Sequence, residues 1–376
     1  MVDNSKRPWE RGTMMEAIIE HERPELSVFG AQQVPVGAGD GPLPDAALQS
    51  LDEMLADRKD NGPFQWDGSA ADPASVGTAA MMHAIFSDSD KYKDAVKDEL
   101  IYLHQDVPRD SSYEIISHRA DEFQAWADFL AMVPPTIAYY GVYQSDGYER
   151  ERALKFAWRQ CQGYRDILRD PDTGLYRHIM EGPWNDQGLW ATGQGWAAFG
   201  MLRVHQTISK SAIASSLTSE AQDLLNWTKE LIDATWAHQL ESGALFNYID
   251  RQDFEDSSGT AAVALASYRY ALITGTTVHE SAEKALRRLT ELVDDDGWVQ
   301  RVVNPIDFAN EGEHSPEAQS FVVMLDVASR EYYNQSGTAP SLPTSSADSP
   351  SEPTDSPTPE PTKTGNCHRR RHRRRM

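Results

Sequence analysis

The sequence predicts an all-α protein, a toroid of paired helices, on three observations. Apolar residues recur three and four apart, as in Met14, Met15, Ile18 and Ile19, in Leu48, Leu51, Met54 and Leu55, and in Leu224, Leu225, Leu231 and Ile232. Period-two alternation is nearly absent. The connections alternate between short Asp/Ser/Gly turns, such as Ser145-Asp146-Gly147, and longer loops with Gly-aromatic pairs, such as Gly174-Leu175-Tyr176, Gly243-Ala244-Leu245-Phe246 and Gly297-Trp298. That alternation is a hairpin repeat, with short turns at one end and long loops gathered at the other.

Eleven helical segments follow in order, over residues 11–22, 43–58, 73–86, 90–105, 121–142, 147–168, 190–207, 217–239, 257–274, 279–293 and 315–333. Segments 190–207 and 257–274 are rich in Gly, Ala and Ser. They can pack on both sides and so belong to an inner ring, with more amphipathic helices outside. The mouth lined by the long loops is the natural ligand pocket.

The formal charge is −23, from 35 Lys and Arg against 58 Asp and Glu. Residues 337–376 carry Lys363 and six arginines against four acidic residues, a net +3, which leaves the body at −26. Such a body repels phosphates and excludes nucleic acid as a general partner. No apolar run is long enough to span a membrane. With two cysteines, Cys161 and Cys367, there is no disulfide framework, and packing must hold the core.

The ends are expected to lack fixed structure. Residues 1–8 run into Pro8-Trp9 with no apolar signal-peptide core. Residues 336–366 are rich in Ser, Thr and Pro and read as a disordered stalk. Residues 367–376 are a basic tail ending in arginines. The domain proper is expected over 9–335.

The segment Trp126-Ala127-Asp128-Phe129-Leu130-Ala131-Met132-Val133-Pro134-Pro135 carries the most chemistry. A carboxylate in such apolar company, if buried, keeps its proton and can donate it. Pro134 and Pro135 suit a helix start, which would put Asp128 at an element end beside the mouth. In Gly188-Leu189-Trp190-Ala191-Thr192-Gly193-Gln194-Gly195-Trp196, two tryptophans offer flat faces for sugar rings, while Gln194 and His178 offer hydrogen bonds. Asp72 before Pro73, and the stretch Glu255-Asp256-Ser257-Ser258-Gly259-Thr260, read as helix caps. His118 and His314 precede helices. Metal-binding spacings and a Gly-x-Ser-x-Gly elbow are absent, so no metal or cofactor is expected.

These motifs together resemble glycoside hydrolase family 105, the unsaturated rhamnogalacturonyl hydrolases, and its relative family 88, the unsaturated glucuronyl hydrolases. The resemblance covers roughly Trp9 to Tyr333. It rests on Trp9-x-x-Gly12, Asp72 before a helix, His118 ten residues ahead of Asp128, Trp126-x-Asp128 with Met132 and Pro134, Gly174-Leu175-Tyr176-x-His178, Trp190 to Trp196, and Ser257-Ser258-Gly259. It implies an (α/α)6 toroid of six hairpins. Eleven of its twelve helices are legible, and the missing one is expected ahead of Trp9. It also implies removal of a Δ4,5-unsaturated uronic acid from pectin-derived oligosaccharides. Asp128 would be the single acid and then base, Asp72, His118 and His178 substrate contacts, and Trp126, Trp190 and Trp196 pocket walls. An extracellular location goes with the family. Thr192 stands where better-known members have an arginine. That departure keeps open a non-catalytic protein of the same fold that binds cell-wall glycan.

Overall fold

The computed structural model of the protein describes residues 1–337 apart from positions 57, 60, 88, 89, 113 and 145. The expected stalk and basic tail lie outside the described residues from 338 onward, and Ser336, assigned to the stalk, instead ends the last helix.

Eleven α-helices stand among the described residues: α1 (Pro8–Glu22), α2 (Asp45–Ala56), α3 (Gly77–Ser87), α4 (Asp90–Gln105), α5 (Phe129–Tyr143), α6 (Gly147–Leu168), α7 (Ala191–Ser209), α8 (Thr218–Trp236), α9 (Ser257–Thr274), α10 (Glu280–Glu291) and α11 (Pro316–Ser336). The odd-numbered helices form the inner ring, with the 3-10 turn Asp72–Val76 extending α3 at its start. Each packs on the next, and α11 packs back on α1. Helices α2, α4, α6, α8 and α10 cover α1, α3, α5, α7 and α9 from outside.

Eleven helices, one short of six pairs, stand among the described residues, six in the inner ring and five in the outer layer. One expectation at the N-terminus is corrected. Residues 1–8 hold a 3-10 turn, Val2–Asn4, and Ser5 is buried. Ser320 of α11 donates to the Met1 sulfur at 3.2 Å, and the Lys6 and Arg7 amides donate to the Glu10 carboxylate at 2.8 and 2.9 Å, which fixes the entry to α1.

The inner helices approach closely because small residues face one another. A Cβ on Gly195 would lie 2.2 Å from Ala262 Cβ, and one on Gly200 would lie 2.1 Å from the Leu130 carbonyl oxygen. Pro134 and Pro135 do not start a helix; they sit inside α5. Lacking N–H groups, they release the carbonyls of Leu130 and Ala131 from the helix ladder. Arg203 Nη1 donates to the Ala131 carbonyl at 3.0 Å, and Gly200 lies against that of Leu130. Arg203 also pairs with Glu16 of α1 and donates to Thr78 of α3, so one guanidinium joins four inner helices.

The segment expected to be helical from 121 becomes helical only at Phe129. Strand β1 (Ala125–Trp126) pairs antiparallel with β2 (Ile179–Met180), and the Ala127 amide donates to the His178 carbonyl at 2.9 Å. These cross-loop bonds override the local helical pattern. Strands β3 (Leu245–Phe246) and β4 (Glu255–Asp256) pair likewise, as do β5 (Val302–Asn304) and β6 (Asp307–Gly312).

All six inner helices begin at the same end. Trp9 Nε1 of α1 donates to Glu317 of α11 at 3.0 Å, Ser75 donates to the Pro8 carbonyl at 3.0 Å, and Thr192 at the start of α7 donates to Asp256 at the start of α9 at 3.2 Å. The three short hairpins rim this end. Six positive helix-dipole ends therefore converge beneath the loops.

Candidate active site

Asp128 sits immediately before α5, in the N-cap position, yet its side chain makes no capping hydrogen bond. Its Oδ2 is buried without a hydrogen-bond partner. His178 Nε2 stands 3.7 Å away and is equally without a partner. Burial pushes the Asp128 pKa up, and the nearby His178 opposes that only in part.

Asp72 does not cap its turn either. Its Oδ1 lies 3.4 Å from His118 Nε2, which is also 3.1 Å from the Ser69 hydroxyl. Burial, with Asp128 and Asp67 adding their charge, raises the Asp72 pKa to about 7 against the hydrogen bond from Ser69. The charge of Asp128 thus adds to burial at Asp72, while at Asp128 burial is what raises the pKa. Burial, then Arg119 and His178, hold His118 well below the usual imidazole range, so it is neutral.

Aromatic rings bind these groups into one site. Trp126 stacks on His118 at 4.6 Å with 9° between planes, and its edge meets His178 at 5.8 Å. Trp190 contacts His178 at 4.4 Å and donates from Nε1 to Asn247 at 2.9 Å. The structure therefore gathers Asp128, Asp72, His118, Trp126, His178 and Trp190. It does not give the other two expected residues a substrate-facing role. Gln194 is fully buried, accepts from the Tyr176 amide at 2.8 Å and donates to the carbonyls of Tyr176 and Trp190, so its amide is spent on loop backbone. Trp196 packs edge-on against Phe321 of α11 at 4.7 Å, inside the barrel. His314 is exposed and packs on Trp298.

Thr192 is also fully buried. Its hydroxyl donates to Asp256, which accepts further from the amides of Ser258, Gly259 and Val303 at 2.7–3.0 Å. Within the stretch the sequence reads as a cap, Asp256 is the capping residue.

Several site residues escaped the sequence. Phe308 on β6 meets His178 at 4.8 Å and Trp190 at 5.3 Å, and the half-exposed Trp184 meets Trp126 at 5.2 Å. Asp186 Oδ2 lies 3.1 Å from His178 Nδ1 and accepts from the Tyr248 hydroxyl, while Asp186 Oδ1 accepts from the Gly188 amide at 3.1 Å. Burial works to raise the Asp186 pKa, but these bonds outweigh it and hold the group ionised, below the usual carboxylate range. Arg251 stacks over Tyr248 at 3.9 Å and reaches Asp186 at 3.4 Å. Glu317 is buried among Asp128, Glu10 and Asp256, and burial followed by those charges holds its pKa well up. All but Glu317 come from the long Gly-aromatic loops and β6, whose clustering at one end was legible although their individual contacts were not. Among the described residues no three His, Cys, Asp or Glu side chains converge as a metal site, and no helix is long and apolar enough to cross a membrane.

Comparison with known proteins agrees with the helical toroid. Residues 45–336 match Glycosyl Hydrolase Family 88. The unsaturated rhamnogalacturonyl hydrolase YesR of Bacillus subtilis strain 168 is 27% identical over 240 residues, 61% of this chain; the chain spans 65% of YesR's length. A possible family 105 member from Salmonella enterica serovar Paratyphi A superposes with a TM-score of 0.68 at 17% identity, over 86% of this chain and 83% of that one. The unsaturated glucuronyl hydrolase of Bacillus sp. GL1 superposes with a TM-score of 0.58 at 15% identity, over 88% and 87%.

Proposed function

The chain belongs to Glycosyl Hydrolase Family 88, and from that premise we propose that it removes a Δ4,5-unsaturated uronic acid from rhamnogalacturonan-type oligosaccharides by hydrating the double bond. The observation that carries this reading is the Asp128 Oδ2, buried without a hydrogen-bond partner and facing His178. A buried carboxyl oxygen left without a partner is costly to folding, and such a group beside a histidine is a candidate acid. The substrate's C4=C5 bond is conjugated to the ring oxygen, a vinyl ether. Protonation at C4 by Asp128 leaves positive charge shared by C5 and the ring oxygen, and water adds at C5. The hemiketal then opens and releases the remaining chain.

The mouth suits an anionic sugar despite the acidic body. Asp128, Asp72 and Glu317 have raised pKa values and hold protons where ordinary carboxylates would not. The six helix starts favour a bound carboxylate. Trp126, Trp184 and Phe308 supply apolar ring faces. A glycan-binding protein without catalysis would need the aromatic faces but has no use for an Asp128 Oδ2 without a partner.

Incubation with unsaturated rhamnogalacturonan and glycosaminoglycan disaccharides, followed by loss of the double-bond absorbance, tests this. The rhamnogalacturonan disaccharide is expected to be consumed faster. Binding of both with consumption of neither would transfer the site to the non-catalytic reading.

A further inference from the structure

Asp186 is ionised, fixed by the Tyr248 hydroxyl and the Gly188 amide, and turned toward His178 Nδ1 at 3.1 Å. An ionised carboxylate accepts hydrogen bonds only, so the Nδ1 position must carry the proton. In the neutral ring this leaves the lone pair on Nε2, the atom that faces Asp128 Oδ2 across 3.7 Å. That distance is too long for a direct hydrogen bond, yet a single water oxygen can sit about 2.8 Å from both atoms. His178 is wholly buried and clamped by Trp190 and Phe308, so its ring cannot turn away.

Resting on the hydration reading above, we propose that His178 takes the proton of the water that adds to C5, and that Asp186 is the positioning residue that holds His178 in the tautomer able to do so. The steps balance. The O–H bond of Asp128 breaks as the π pair of C4=C5 forms the C4–H bond. The water oxygen bonds C5 while its proton passes to His178 Nε2. That proton then crosses to the Asp128 carboxylate, and both groups return to their starting forms. The C5–ring oxygen bond then breaks as the C5 hydroxyl becomes a ketone and its proton passes to the freed oxygen on C1. The resulting C1 hemiacetal collapses to an aldehyde as its hydroxyl proton passes to the remaining chain, which leaves as an alcohol. Asp128 need not serve in both directions, because the base stands beside it.

Two measurements on the full chain test this. In ¹⁵N-labelled wild type without substrate, His178 should show a protonated Nδ1 and an unprotonated Nε2, and Asp186→Asn should lose that preference. In kinetics with an unsaturated rhamnogalacturonan disaccharide, Asp186→Asn should lower kcat at least about tenfold with KM changed less than about twofold, and His178→Gln should lower kcat by roughly 10²–10⁴-fold. Asp186→Glu, which restores the carboxylate, should recover part of kcat. A proton found on Nε2 in wild type would overturn the proposal even if every variant failed to fold. So would Asp186→Asn that keeps its kcat, or that loses efficiency only through KM. Wild type that shows the expected tautomer but consumes none of the disaccharides would overturn the hydration reading and the proton-accepting role with it, leaving Asp186 as the residue that sets the tautomer.

Discussion

Asp128 Oδ2 and His178 Nε2 face each other 3.7 Å apart, both buried and neither with another partner. Asp256, at the corresponding start of α9, is the opposite case: four donors converge on its carboxylate. One aspartate is left open for chemistry and the other is consumed by structure. Asp128→Asn should therefore change stability by less than about 1 kcal/mol. Asp256→Ala, which strands a cap and buried donors, should cost about 2 kcal/mol or more. Urea unfolding of the two variants checks the contrast.

Asp72 sets an alkaline limit on activity. Its carboxyl is protonated below about 7 and becomes a negative charge in the pocket of an anionic sugar above it. The kcat/KM should fall as pH rises through that region. Asp72→Asn cannot ionise, so at pH 8 it should retain a larger fraction of its own pH 6 activity than wild type does. Parallel pH profiles for the two proteins would contradict this.

Glu99 gives a pH dependence of stability rather than activity. It is wholly buried and accepts from the Phe64 amide at 2.7 Å, and burial raises its pKa from 4.5 to about 8. A carboxyl whose folded pKa is raised binds more protons folded than unfolded, so its contribution is full below about 4.5 and is lost as pH climbs through 8. Thermal melts should show Tm declining from pH 6 to pH 9. Glu99→Gln, which keeps an acceptor for Phe64, should flatten that decline.

The closeness of α5 and α7 is testable at Gly200. A methyl there would lie 2.1 Å from the carbonyl oxygen of Leu130, so the helices must separate. Gly200→Ala should destabilise by about 1–3 kcal/mol, as overpacking does. A denaturation midpoint equal to wild type would show that the ring relaxes freely.

The helices were legible because each inner or outer segment keeps its own period over many residues, and observed and expected spans for α4, α6 and α9 coincide. The start of α5 was not, because cross-loop pairing of Trp126 with Ile179 decides it. The proline pair misled for a related reason: only Arg203 and Gly200, on another helix, make a mid-helix Pro134-Pro135 tolerable. Within the site, Asp128, Asp72 and His178 stood out by motif. Asp186, Tyr248 and Phe308 carry no local pattern; Asp186 folds back from eight residues further along the same loop, and Tyr248 and Phe308 reach His178 from loops distant in sequence. Gln194 and Trp196 share the motif with Trp190, but helix rotation turns them toward backbone and barrel interior.

The central claim is that Asp128 delivers the proton that starts hydration of the double bond. Its most direct test is the rate of loss of double-bond absorbance at saturating unsaturated rhamnogalacturonan disaccharide, wild type against Asp128→Asn. The substitution keeps the shape and removes the transferable proton. The account predicts a fall in kcat of roughly 10²–10⁴-fold or more with substrate binding retained. An Asp128→Asn protein that keeps most of its turnover would contradict it.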